Sequence, residues 1–363
     1  MRKIRDIIVN NKLYVILILF ILGLNLLVFV DKAVQKQKEA EKTEAVSAEE
    51  TPKPEEEPKK ALFDEDQIKK REQKIADLAK EKPLLYIFLG LVNLTVLFLV
   101  LIGFILDGYF LFRWLRRNPV KPPSIEQQPP RWTVGDIVRV TLIFLSFGYI
   151  FVILEAFMTN IFPILRNDNF LMVFNTAVMN IVGISVILYF IVKKHGQQIS
   201  AAGLSLKNFS SNVLCAAVGY VSLIPILLVI MVITFFIIRW LRYQPPVQPI
   251  VQVFMEEKET AVLWFSSLFA AIFGPIAEEI YFRGFMYTVL KKRIGILGGM
   301  LVSSVVFSFL HAHVVGFFPI LALGLLLAYL YEKTGSLVSS MSVHIAHNVA
   351  MVIIVFLMRG AGL

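Results

Sequence analysis

Residues 213–238 read VLCAAVGYVSLIPILLVIMVITFFII, twenty-six positions without one Asp, Glu, Lys, Arg or His. At about 1.5 Å of rise per residue a helix of this length extends about 39 Å, enough to cross a hydrocarbon core of about 30 Å. The apolar residues come as a block, without the alternation of a half-buried strand. Lipid offers the backbone no hydrogen-bond partner, so such a block satisfies itself as a helix. Working outward, the same reading applies to segments near 13–30, 84–106, 137–158, 169–191, 261–289, 296–315, 317–331 and 337–358. The fold class expected is all-α, a polytopic bundle of about nine transmembrane helices, and a 57% hydrophobic composition argues against a water-soluble fold.

The first segment follows the basic start Met1-Arg2-Lys3-Ile4-Arg5 and runs into Asp31-Lys32 without a small-x-small cleavage site. Residues 1–31 are therefore expected to be an uncleaved membrane anchor and not a signal peptide. With the N-terminus inside, the short inside segments collect seventeen Lys and Arg, whereas the outside ones hold only Arg166, Arg239, Arg242, Lys258 and Arg359. Basic loops stay cytoplasmic, so the N-terminus is expected inside and the C-terminus outside, in the cytoplasmic membrane of a prokaryote. The formal charge of +9 is then an orientation signal and a leaflet anchor. No interleaving of Arg with aromatics points to nucleic acid, and the single Cys215 excludes an intrachain disulfide.

Residues 32–83 are rich in Lys and Glu, broken by Pro52, Pro54 and Pro58, and too polar to bury a core. They are expected to form a solvated external loop, with some helix toward Lys82. After a second span over 84–117, Pro119, Pro122, Pro123, Pro129 and Pro130 mark 118–130 as a semi-rigid cytoplasmic linker. Residues 131–363 then form one bundle with short loops, and no internal repeat suggests an inverted-repeat transporter.

Ionisable residues inside a span cost a few kcal/mol each and usually serve a purpose. Three late segments concentrate them: Glu278-Glu279 with Arg283, His311 with His313, and His344 with His347 and Asn348. Glu279 and Arg283 are four apart, share a helical face and can pair. Glu278, rotated about 100° from its neighbour, is left free to act as a base. His311 and His313 point to nearly opposite faces, so one site uses only one of them easily. His344 and Asn348 project together and could donate to an oxyanion. The bland alternative is a structural ion pair with histidines and an asparagine that hold helices together.

These residues resemble the CAAX prenyl endopeptidase and bacteriocin-processing family of intramembrane peptidases, also described as lysostaphin-resistance-like. Its motif Glu-Glu-x-x-x-Arg matches Glu278, Glu279 and Arg283, followed by Gly284-Phe285; Phe-x-x-x-His matches Phe307 and His311; His-x-x-x-Asn matches His344 and Asn348. The resemblance covers about residues 200–355. It implies an intramembrane glutamate endopeptidase in which Glu278, aided by His311, activates water, while His344 and Asn348 hold the oxyanion and Glu279 and Arg283 support them. The substrate implied is a membrane-embedded or lipid-modified polypeptide, with no cofactor; zinc held by Glu278, His311 and His344 is the alternative. The rival functions are a non-catalytic scaffold or immunity-type protein and a proton-relaying transporter.

Overall fold

The structure, a computed structural model, describes residues 12–25, 73, 76–118, 128–243 and 245–362. Most of the charged loop, most of the proline-rich linker and the end of the first apolar segment lie outside these residues. Ten helices are assigned here: α1 (Lys12–Asn25), α2 (Pro83–Leu115), α3 (Val134–Ile161), α4 (Asp168–Lys194), α5 (Phe209–Leu241), α6 (Pro249–Glu256), α7 (260–294), α8 (296–310), α9 (Phe317–Thr334) and α10 (Leu337–Ala361). The described residues contain no strand. Residues 76–81 are helical, as expected at the end of the charged loop.

Nine spans is an approximate count. Among the described residues seven helical stretches are long and apolar enough to cross a bilayer, while α1 is shorter there. One of the seven, Thr260–Leu310, holds 51 residues. A straight helix of that length would reach about 77 Å, more than twice the hydrocarbon thickness. Gly295 breaks it, with φ 79° and ψ 172° that only glycine adopts without strain. The chain folds back there: a Cβ on Gly299 would meet the Lys291 backbone nitrogen at 2.8 Å and the Tyr287 ring at 3.2 Å, an approach impossible along a straight helix. The stretch is therefore the hairpin α7–α8, and the sequence boundary between 289 and 296 falls at its turn.

The chain divides into two units. One comprises Met1–Tyr86 and Thr141–Leu154, in which Asn25 donates through Nδ2 to the Tyr149 hydroxyl at 2.7 Å and Phe20 meets the Tyr149 ring edge-on at 6.5 Å. The other, Ile87–Val140 and Glu155–Leu363, holds the motif residues. Its inner packing centres on Ala216 and Leu223 of α5, Leu323, Leu327 and Leu330 of α9, and Val343 of α10. Small residues set the close crossings, as membrane helices require. A Cβ on Gly103 would stand 2.6 Å from Pro225, so glycine lets α2 lie against the proline-containing turn of α5, and Ser222 donates to Asp107 one turn along. Gly335, at φ 69°, ends α9, and Ser336 caps α10 by accepting from the Val338 amide at 3.2 Å. This two-residue turn makes α9 and α10 an antiparallel pair and sets α10 beside α7.

Candidate active site

Helix α7 is not a uniform α-helix. π segments at Phe269–Phe273 and Ile280–Tyr287 flank the α-helical Gly274–Glu279, so both glutamates sit between two stretches of altered register. Such departures inside helices frequently accompany functional sites. Glu279 is fully buried and pairs with the equally buried Arg283, Nη1 to Oε1 at 2.7 Å. Arg283 also donates to the Gly324 carbonyl at 3.3 Å, and its guanidinium stands 4.4 Å from the centre of the Phe307 ring. An arginine this deep is stable only with such partners, because a charge removed from water must be compensated by its surroundings.

Glu278 is turned away from the arginine, and a third of its side chain is exposed. Two imidazoles face it: His344 Nε2 lies 3.7 Å and His311 Nε2 4.0 Å from Glu278 Oε2. The other nitrogen of each ring is occupied. His344 Nδ1 is 3.0 Å from Glu279 Oε1, and His311 Nδ1 is 2.7 Å from the Phe307 carbonyl. A carbonyl only accepts, and a carboxylate ionised by its arginine only accepts, so Nδ1 is the donor in both rings. Each histidine then turns Nε2 toward Glu278. The separations exceed a direct hydrogen bond.

The structure thus brings Glu278, Glu279, Arg283, His311 and His344 into one cluster. Asn348 follows His344 by one turn of α10, and its Nδ2 donates to the Ala270 carbonyl at 2.9 Å, inside the first π segment. One of its two amide protons is committed to holding α10 on α7. His313 accepts from the Gly316 amide at 2.9 Å and closes the turn between α8 and α9. His347 lies 3.0 Å from the Tyr220 hydroxyl of α5. Neither contacts the carboxylates.

Phe307 is the residue whose work the sequence motif did not disclose. Its carbonyl fixes His311, and its fully buried ring lies edge-on to His311 at 4.5 Å and to His344 at 5.6 Å besides carrying Arg283. The spacing of four between Phe307 and His311 was the available signal, since it puts them in contact on one face. Among the described residues no group of three or more His, Cys, Asp or Glu side chains is arranged to hold a metal ion. Around His311 the surface is apolar and open: Phe309, Leu310, Val314 and Phe318 are all exposed.

The chain is 32% identical over 84 residues to a Bacillus subtilis (strain 168) protein named "Putative membrane peptidase YdiL". The match takes in 23% of this chain and spans 34% of the relative's length. No solved structure matches. Residues 260–350, the stretch that supplies Glu278, Glu279, Arg283, His311, His344 and Asn348, match the family model described as type II CAAX prenyl endopeptidase Rce1-like.

Proposed function

We propose that this chain is an intramembrane endopeptidase in which Glu278 draws a proton from a water that attacks a peptide carbonyl. The observation that carries the reading is the single carboxylate oxygen faced by two imidazole Nε2 atoms at 3.7 and 4.0 Å, both rings fixed through Nδ1. The family match and the peptidase-named relative support a membrane peptidase. His311, a third of whose side chain is exposed, helps hold the water and relays the proton taken up by Glu278 to the leaving amine. His344 donates through Nε2 to the developing oxyanion when doubly protonated, with Glu279 as its counter-ion, and the second amide proton of Asn348 adds a donor from the same helical face. The peptide bond breaks between the carbonyl carbon and the amine, water supplies the hydroxyl, and Glu278 returns its proton to the products.

The site opens beside exposed apolar side chains within helices built for lipid, which supports a membrane-embedded or lipid-modified polypeptide as substrate. The cytoplasmic membrane and a cytoplasmic N-terminus follow from the Lys and Arg distribution. The domain limits follow from the sequence, with a peptidase bundle over 131–363. A metal-dependent variant has one observation in its favour: imidazoles anchored through Nδ1 with Nε2 directed at a carboxylate are also how metal ligands are oriented.

Single-turnover cleavage of a quenched fluorescent peptide with a farnesylated cysteine four residues from its C-terminus tests both readings. Loss of a general base lowers rates about 10² to 10⁴-fold, and loss of one oxyanion donor about 10² to 10³-fold. Glu278→Gln is expected to abolish detectable cleavage, and Asn348→Ala to leave a slow remainder with KM little changed. Wild-type rates for Glu278→Gln would end the general-base assignment. Complete inactivation by a chelator, reversed by zinc, would place the same side chains around a metal.

A further inference from the structure

The second π segment is held from outside the helix by Trp132, at the start of the bundle and 146 positions before Glu278 in the sequence. Trp132 is 1% exposed and donates from Nε1 to the Phe285 carbonyl at 3.0 Å. Its ring stacks on Phe285 with centroids 5.7 Å apart and planes 11° from parallel. The Thr288 hydroxyl, 3.0 Å from the same carbonyl and from that of Gly284, completes the set. Two carbonyls at the C-terminal end of the π segment thus take side-chain donors. Gly284 between Arg283 and Phe285 permits the fit, since a Cβ there would stand 2.9 Å from the Ala202 carbonyl.

The strand of chain that presents Trp132 is itself tied down. The Gln197 side chain accepts from the Arg131 amide at 2.7 Å and donates to the Pro129 carbonyl at 3.2 Å, and Lys292 reaches the Pro130 carbonyl at 3.4 Å. Asp136, 2% exposed, caps the following helix through Thr133 and meets Lys194 at 2.5 Å, Arg139 at 3.1 Å and His195 at 3.0 Å. Residues 129–136 therefore form an anchored strap across the ends of α4 and α7.

We propose that Trp132 is a positioning residue for the glutamate pair: its indole N–H and ring hold the Ile280–Tyr287 π register that turns the Glu279–Arg283 pair toward α9 and α10, and through Glu279 it sets the His344 ring. A π segment carries extra residues per turn. Its relaxation to α register would leave Glu279 and Arg283 on one face but rotate that face by about 100° relative to the chain beyond Tyr287, enough to part Glu279 from His344 and Arg283 from the Gly324 carbonyl. The proposal rests on the peptidase reading for its kinetic consequence, but its structural content is independent of it.

Trp132→Phe keeps a ring to stack on Phe285 and removes only the N–H. In the full chain in lipid nanodiscs, amide exchange over residues 283–289 is expected to rise about tenfold and the imidazole signals of His344 to shift, with those of His313 unchanged. On the farnesylated fluorescent peptide, kcat is expected to fall at least tenfold at constant KM. Trp132→Ala, which loses ring and donor, should go further on all three. Unchanged exchange and unchanged His344 signals in Trp132→Phe overturn the proposal, as does a drop in Tm alone with kcat intact. An inactive wild type would defeat the peptidase reading, and the exchange and imidazole measurements would still judge the strap.

Discussion

Arg283 is the side chain on which most of the site depends. It is fully buried, and its compensation comes from one carboxylate, one backbone carbonyl and one aromatic face. Removing one partner of a buried pair leaves the other charge uncompensated, at a cost of about 3 to 5 kcal/mol. Arg283→Ala is therefore expected to lower folded yield and Tm as well as activity, read by thermal unfolding in detergent. Glu279→Gln with Arg283→Met removes both charges and should recover part of the yield without the activity. A single Arg283→Ala protein as thermostable as the parent would refute the energetic weight given to the pair. The pairing itself was legible in the sequence, because a spacing of four fixes two residues on one helical face. The division between the two glutamates was legible for the same reason. What the sequence could not disclose is which backbone atoms complete the site. The carbonyls of Phe307, Gly324 and Ala270 have no residue-type signature, so the anchoring of His311 and the engagement of Asn348 with α7 emerge only from the fold. The surroundings of Glu278 were equally hidden: it meets two imidazoles and an open edge, and spacing alone announces neither.

At the scale of elements, apolar blocks gave the helices and their order, since each block is long and lipid leaves a helix as its only internally satisfied form. The π segments of α7 were not legible. They arise where packing against α10, the 199–203 turn and the 129–136 strap overrides local propensity, and no residue pattern in 269–287 announces them. The turn at Gly295 was placed by a gap in hydropathy, and its glycine explains the reversal. The ends of α4, α6 and α10 are joined by a carboxylate the sequence did not single out. Glu257 accepts from the backbone amides of Glu259 and Lys258 at 2.8 Å and from Asn169 at 2.8 Å and Asn167 at 3.3 Å, while Arg359 donates to its carbonyl at 2.6 Å. The Glu259 amide foremost, with Asn169, holds its carboxyl below the ordinary glutamate value. A folded-state pKa below the unfolded one stabilises the fold fully above the ordinary glutamate range, and the contribution fades as pH falls through and below it. Tm measured from pH 7 down to pH 3 should therefore fall less steeply for Glu257→Gln than for the parent, from a lower starting value. Parallel curves would mean that Glu257 is equally ionised in the unfolded chain and contributes no pH dependence.

At the scale of the second unit, internal contacts sort the loops into two ends. The turn at 335–337 touches 203–205, with Leu337 donating to the Gly203 carbonyl at 2.9 Å and Ser336 to the Ser205 carbonyl at 3.1 Å. Residues 129–136 touch Lys194, His195, Gln197 and Lys292, which places them at that same end. The opposite end gathers Asn167, Asn169, Glu257 and Arg359. This sorting is what alternating passes of α3 to α10 require, with α6 not crossing. The first end carries Arg131, Arg139, Lys193, Lys194, Lys207, Lys291, Lys292, Arg293 and Lys333, and the second only Arg166, Arg239, Arg242, Lys258 and Arg359. Cytoplasmic loops hold the excess of Lys and Arg, so the first end is expected in the cytoplasm and the Glu257 clasp outside. Ser200 and Lys258 are exposed residues on either side of α5, whose 33 residues separate the two ends. In a Cys215→Ser background, Lys258→Cys should react with a membrane-impermeant maleimide in intact cells. Ser200→Cys should react only after permeabilisation. Labelling of Ser200→Cys but not Lys258→Cys in intact cells would invert the protein in the membrane, and with it the side from which the polar ends of a substrate approach Glu278.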